Sequence, residues 1–457
     1  MNPQLTPMST KKAIWLRWPF LLTVIPLTLL LLAATALGIN EWRAAGRVES
    51  ELARIQAAGH PIDDASMSRW FFDHTSQEGT AQWSNLLSLV TVGSSGFQLE
   101  QLPYLGNAPI PAEIVPAEPW DAEPAVAEFL QWMQPVIEEL HAATEYPTPV
   151  WQPIEFRGFA TLLESLQNSR SLARLLSLEV EHALYHGDSD RALRSLQTMQ
   201  GVAAAFEWQS FMVADMVTSA LHQSHHAMIQ RSLAVAPWSE EQLQLLQDQV
   251  AIPREVASRW GNVIAGERAF LTATLSQISN SGESSFELGG IDWLWRIPSL
   301  QEGTLSAYRE IEAVGAQGLT GLVERANLLT EDWRRPTGPE RIFNSLNRMF
   351  LPAFESYAVV IEREEMSRRL TLTAIAIKRF QLGTGQWPER LDQLKQVGLE
   401  PADWHTVSAG AFGYEVGDNT AYLWSFAHGK ESAVPANRPA PPDLNSSQPT
   451  TPTVVIR

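Results

Sequence analysis

From Trp18 to Ile39 the chain carries no charged residue, and that run constrains the fold more than any other feature. It is long enough to cross a hydrocarbon core of ~30 Å at ~1.5 Å per residue. Trp15 and Trp18 stand at one edge of it, where interfacial aromatics belong. Pro26 kinks a spanning helix without disqualifying it. A cleaved signal peptide is the rival reading, because Ala34-Thr35-Ala36 fits the small-residue cleavage pattern. Against it, the run exceeds the usual ~7–15-residue signal core, and a helical pattern continues through Trp42, Val48, Leu52 and Ile55. An uncleaved anchor follows: residues 1–17 are a cytoplasmic start and residues 18–39 a transmembrane helix in contact with membrane lipid. Lys11, Lys12 and Arg17 nearly balance Arg43, Arg47 and Arg54 across the span. The short leading segment and its free amine tip the orientation to N-inside. A single-pass protein of a bacterial cytoplasmic (inner) membrane is expected, its bulk outside the cytoplasm.

Residues 40–335 read as a helical extracytoplasmic body. Gly59 and Pro61 end the helix that leaves the membrane, and prolines between 91 and 125 mark a long strap over the helices. Leu172, Leu175, Leu176, Val180, Ala183 and Leu184 form one apolar stripe. Gly187-Asp188 breaks it, and Ala192, Leu193 and Leu196 begin the next helix. That hairpin resembles half of a tetratricopeptide unit, without a 34-residue recurrence. Ser239 is placed to cap a further helix. Breaks are expected over Ser279–Gly290 and at a hinge, Pro336–Pro339.

Residues 340–430 read as a small C-terminal cap of one helix plus a β-hairpin. Met366, Leu370, Ala374, Ile377 and Phe380 make one apolar helix face. Glu364 with Arg368, and Glu365 with Arg369, are favourable i,i+4 pairs on its solvent side. Gly383 and Gly385 stop the helix, Pro388 starts a shorter one, Leu391 and Leu394 fold that back, and Trp387 wedges the corner. Phe412, Tyr414 and Val416 alternate, as do Tyr422, Trp424 and Phe426, with Gly417-Asp418-Asn419 as the turn. One aromatic face is expected, covered by the helix Met366–Phe380. Prolines among Ser, Thr and Asn make residues 431–457 a disordered tail. The fold class is therefore mainly α: an N-terminal transmembrane helix, an irregular helical body and a small α+β cap.

With 51 acidic against 33 basic residues and a net charge of -18, the chain lacks the clustered Lys and Arg that nucleic-acid binding requires. It has no cysteine, which excludes disulfides, thiolate catalysis and Cys-based zinc sites. No GxSxG, P-loop or GxGxxG-plus-acid arrangement occurs, so no catalytic residue and no cofactor is assigned. One ridge of a helix carries Asp215, His222, His225 and His226, and His222, His226 and Asp215 are the candidate metal ligands. The plainer alternative is a solvated helix face, since the HExxH glutamate is missing. His182 and His186 form a second pair one turn apart on a preceding helix. Glu267-Arg268 after Gly266 reads as an internal ion pair locking two helices, or as a substrate-binding Arg. Trp293 and Trp295 lie in a break where they could stack on glycans, although most of the 17 tryptophans are explained by packing and interfacial anchoring.

Four stretches together carry a resemblance: ELARIQAAGHPI (51–62), FRGFATLL with SRSLARLLSLEVEHALYHGD (156–188), GERAF (266–270) and LTAIAIKRFQLGTGQWPERLDQL (372–394). They resemble an uncharacterised group of membrane-anchored, mainly helical bacterial proteins abundant in planctomycetes. The order of the stretches matches over most of the chain. The resemblance implies architecture, not an activity. Near the end Glu400-Pro401-Ala402-Asp403 is a weak substitute for the Asp-Pro-rich loop that group often has. The C-terminal part is also similar to the globular part of pilins and pseudopilins, but neither a prepilin cleavage motif nor its membrane-embedded Glu is present at residues 12–30.

Two functional readings compete. The first is a non-enzymatic, membrane-tethered module of the cell envelope that binds or scaffolds a protein partner. The second is an extracytoplasmic metal-dependent enzyme or binder using His222 and His226. Contact with an envelope glycan is a third possibility.

Overall fold

The protein is described by a computed structural model covering residues 17–93, 98–109, 119–158, 161, 164–207, 210–281, 297–334, 347–407, 410–417, 419–425 and 453–457. The sites expected at Pro336–Pro339 and at Trp293 and Trp295 lie outside them, as does most of the 279–290 break. The chain is mainly helical, with a small sheet at its C-terminal end.

Helix α1, Arg17–Ala57, is a single element. Its stretch from Val24 onward is long and apolar enough to cross a membrane, and Leu27, Leu30 and Leu31 point away from the protein. The second half of α1 does not lead into a linker. It lies along α10, Pro298–Ala316, where Val48 and Ile55 pack with Leu305. Arg47 pairs with Glu302, Arg309 with Glu51 at 2.8 Å, and Ser299 donates to Glu41 at 2.7 Å.

The body begins with α2, Asp64–Asp73, whose first turn is closed by a reciprocal cap between Asp63 and Ser66. Next come α3, Thr80–Gly93, and α4, Glu123–Ala143. The expected hairpin is α5, Glu164–Tyr185, and α6, Ser189–Ala205, with Asp188 capping α6. All six residues of the Leu172–Leu184 stripe are buried. Helix α7 is Met212–Ser232, and α8 is Glu240–Ala251, which Ser239 caps as its sequence implies. Helices α9, Val256–Ser281, and α11, Leu322–Arg334, join α10 around a second apolar cluster containing Trp260, Ile264 and Ile311.

The long helix α12, Asn347–Thr384, is the strut of the molecule. It packs against α7, α8 and α11. Met366, Leu370, Ala374, Ile377 and Phe380 are buried in the same core as Leu172 and Leu196, so this helix is continuous with the body rather than part of a separate cap. Gly385 at φ 73° ends it, in the left-handed region that suits glycine. Pro388 is buried and Trp387 is half-buried, with the Lys378 ammonium 5.7 Å from its ring centre. The short second helix is a 3-10 turn, Leu391–Val397, with Leu391 and Leu394 buried.

The strands correct two expectations. β1, Gly413–Gly417, and β2, Thr420–Trp424, pair antiparallel with Tyr414 opposite Leu423 and Trp424 opposite Gly413. Directly opposed residues share a face. Tyr414, Leu423 and Ala421 therefore face the core, while Tyr422 and Trp424 lie on the other side of the sheet. Tyr414 does not share a face with Tyr422 and Trp424, because a strand's alternation fixes its faces only once the register is fixed, and Phe426 lies outside the described residues. In addition, Thr453–Ile456 forms a third strand, β3, beside β2. Val454 and Ile456 are buried in the main core, the Arg457 amide donates to the Leu233 carbonyl at 3.3 Å, and Lys378 donates to the Arg457 carbonyl. The last five residues are thus a structural element, not the end of a disordered tail.

Candidate functional site

A buried group of ionisable side chains joins α7, the α8–α9 turn, α9 and α12. Asp215, four residues into α7, is almost fully buried. One of its oxygens accepts from Arg254 at 2.8 Å, the other from Arg259 Nε at 2.7 Å and from the Tyr357 hydroxyl at 2.9 Å. Glu364 on α12 lies 3.1 Å from Arg254 Nη1 and 2.9 Å from Arg259 Nη1. Each carboxylate therefore meets both guanidiniums. Arg254 also reaches Glu207 at 3.2 Å, and Arg259 reaches the Ser219 hydroxyl. Tyr357 stacks on Trp260, centroids 5.3 Å apart.

Pro253 ends α8 in an extended turn, which swings Arg254 into the interior, and Arg259 follows on the first turn of α9. Burial alone raises the pKa of Glu364, but Arg259 and then Arg254 outweigh it and hold the carboxyl well below its usual range. The same balance lowers Asp215. Two acids and two guanidiniums cancel, and each charge has partners. Such a lattice fixes helix positions without a large net gain in stability, because desolvation offsets the attraction.

Beside it lies a cavity of about 180 Å³, lined by His222, His226, Glu207, Gln249 and Ile252 among others. His222 and His226 are buried, which corrects the alternative of a solvated face. Burial first, and for His226 the neighbouring His222 next, pushes both rings down to about 3. They are neutral at neutral pH. His225 faces the interior, and neither of its nitrogens has a hydrogen-bond partner among the described residues. The expected Asp215–His222–His226 metal set is not assembled, because both Asp215 oxygens are taken by Arg254, Arg259 and Tyr357. Among the described residues, the set of three His or carboxylate atoms that does converge is Glu123, His182 and His186.

Glu267 and Arg268 do not pair with each other. Glu267 accepts from the Met212 amide at 2.8 Å and so caps α7, whose own N-cap, Phe211, offers no side-chain acceptor. Arg268 pairs with Glu312 on α10 at 3.2 Å, which does lock two helices. Gly266 is required by close approach: a Cβ there falls 1.4 Å from the Ser210 carbonyl oxygen. Glu365, not Glu364, serves the helix surface, pairing with Arg368 at 2.7 Å and Arg369 at 2.6 Å. Arg368 is itself buried and donates to the Val250 and Ala251 carbonyls.

Arg254, Arg259 and Tyr357 were not singled out by the sequence, and Glu364 was read there as the solvent-side partner of Arg368, whereas it is buried against Arg254 and Arg259. The available signal was two arginines, Arg254 and Arg259, flanking the helix start that Pro253 marks. Comparison of the chain with known protein families, with curated proteins and with solved structures returns no match.

Proposed function

We propose that this chain is a single-pass membrane module of the bacterial cell envelope whose helical body, outside the cytoplasm, binds and scaffolds a protein partner at a fixed position above the membrane. The observation that carries the reading is the path of α1. The helix runs from the membrane-length stretch into its seat on α10 without a flexible joint, held there by Val48, Ile55 and the Arg47–Glu302 and Glu51–Arg309 pairs. A tethered enzyme that searches for substrate benefits from a loose linker. A rigid strut instead fixes the height and rotation of one face, as a scaffold requires. Trp42, 77% exposed just beyond the anchor, suits a second interfacial aromatic position. The hairpin α5–α6 suits a tetratricopeptide-like partner surface, and Trp132 on α4 is 62% exposed, a large aromatic of the kind that dominates interfaces. Lipid contact falls to residues 18–39, and membership of the planctomycete-rich group belongs to the same proposal.

The test uses full-length protein in native membranes with a photo-crosslinking side chain at Trp132. A discrete protein adduct is expected. It should be lost when a flexible Gly-Ser segment is inserted between Asn40 and Glu41, although the chain stays in carbonate-washed membranes. An adduct indifferent to the insertion contradicts fixed presentation, and no adduct from Trp132 or from a second probe at Phe72 contradicts partner binding. Cysteine labelling should find Ser9 protected and Ser84 reactive from outside.

A further inference from the structure

Glu123 is the first residue of α4, His182 lies in the last turn of α5, and His186 follows one residue past its end. Glu123 Oε1 stands 3.6 Å from His182 Nε2 and 3.4 Å from His186 Nε2, and the two Nε2 atoms are 3.2 Å apart. A tetrahedral zinc ion with ligands at ~2.0–2.1 Å needs those ligands about 3.3 Å from one another. The three atoms thus form one face of such a tetrahedron. We propose that Glu123, His182 and His186 bind a divalent metal ion of the zinc class, with the fourth position open to water. This site is independent of the partner-binding reading.

The burial is graded as such a site needs. The His182 side chain is 9% exposed and that of His186 is 49% exposed, so the ion is held from inside and reached from outside. Tyr185 packs against His186 at 5.2 Å and against Trp120 at 5.6 Å, giving the outer ligand an aromatic wall. The two histidines are one helical turn apart, which brings their rings to 4.5 Å between centroids. The third ligand comes from another helix, so the ion staples the start of α4 to the end of α5. In the sequence HALYH, Ala183 occupies the position of the glutamate that serves as general base in HExxH metalloproteases. Ala183 is buried in the core, and the site holds a metal without a peptidase base beside it.

Arg191 sets the affinity. Its Nη1 lies 3.2 Å from His182 Nδ1, and its Nε and Nη2 are tied to Glu179. A guanidinium only donates. Without metal, His182 therefore accepts at Nδ1 and carries its proton on Nε2, which it donates to His186. A metal at Nε2 moves that proton to Nδ1, facing Arg191. The arginine competes with the ion, and its removal tightens binding.

The experiment takes full-length protein in detergent, strips it with a chelator and titrates it with Zn²⁺ against a chromophoric competitor, and in parallel with Co²⁺. One equivalent of zinc and an intense tetrahedral Co²⁺ spectrum are expected. His186→Ala and Glu123→Gln, at partly exposed positions, should each weaken binding at least tenfold, on the order of what altering ligand support costs at metal sites. Arg191→Gln should strengthen it several-fold, and His222→Ala should leave it unchanged. Zinc held equally by wild type and His186→Ala, an octahedral Co²⁺ spectrum, or loss of the ion in His222→Ala instead would each overturn the assignment.

Discussion

The His222/His226 pair on α7 and the His182/His186 pair at the end of α5 have the same spacing and opposite surroundings. Beside the pair on α7, Asp215 and Glu364 are saturated by Arg254 and Arg259, and the imidazoles sit neutral beside a polar cavity. At the end of α5 the neighbouring helix brings Glu123, and its oxygen faces both ring nitrogens. An i,i+4 spacing aligns two rings and nothing more. The charge that a different helix contributes decides between a packed interior and a ligand set.

The largest expected effect tests the first side of this contrast. Asp215→Ala leaves two buried guanidiniums sharing Glu364, with only the partly exposed Glu207 beside Arg254, and should cost ~3–5 kcal/mol in denaturant unfolding of the detergent-solubilised chain. A loss below ~1 kcal/mol would mean that α7, α9 and α12 do not depend on the lattice. Ile377→Asp, which puts an unpaired charge into the main core, should be of similar size.

Arg368→Gln ranks next. A helix-surface position would lose little, but Arg368 is buried against two carbonyls and Glu365, so ~1–3 kcal/mol is expected. Trp387→Ala should fall in the same range, below the ~3–5 kcal/mol of a fully buried aromatic, since its ring is only half-buried. Equal values for Trp387→Ala and Ile377→Asp would contradict that ordering.

The pH dependence sharpens the comparison further. His222, His225 and His226 are each pushed from 6.5 to about 3 by burial first, so the unfolded chain binds more protons between those values. Their contribution is intact above pH ~6.5 and is lost as pH falls towards 3. Glu267, raised to about 7, and Glu181, also raised, act oppositely: burial makes them bind protons in the fold, and their contribution fades as pH rises from 4.5. The three α7 rings together with His182, lowered to about 4 by burial, then Arg191, outweigh those two acids. The unfolding midpoint should therefore fall on acidification from pH 7 to 5. His225→Leu should flatten that slope, and an unchanged slope would mean the ring is already protonated or solvated in the fold.

The smallest effect is expected on the other side. Metal-free His186→Ala should change stability by less than ~0.5 kcal/mol, because the ring is half exposed. A large loss there would make the α5 pair a packing element rather than a ligand set.

Several features were legible from local pattern. The Leu172–Leu184 stripe, the Ser239 cap, the stop at Gly385 and the Met366–Phe380 face each depend on residues within a few turns of one another. The face of the hairpin was not legible. Either set of alternating side chains satisfies a strand's period, and only pairing across β1 and β2 selects Leu423 over Trp424. The strand at Thr453–Ile456 was hidden for a similar reason, since four residues gain strand structure only from an edge supplied elsewhere.

The candidate sites divide in the same way. Sequence placed Asp215, His222 and His226 on one helix ridge and His182 and His186 one turn apart, correctly in both cases as backbone geometry. It could not weigh Arg254 and Arg259, which reach Asp215 across about forty residues of chain, or Glu123, which reaches His182 across about sixty, distances over which side-chain spacing carries no information.

By itself the sequence determined a membrane-length apolar run, a mainly helical chain, and the helix faces and stops, because periodicity, capping and burial of an apolar stripe act within single elements. Tertiary structure alone decided that the second half of α1 docks on α10, that the long C-terminal helix shares the body's core, that Thr453–Ile456 adds a strand to the sheet, and which charges meet which histidines. Those outcomes depend on Coulomb and packing contacts between elements far apart in the chain, whose energies exist only once the helices are in place.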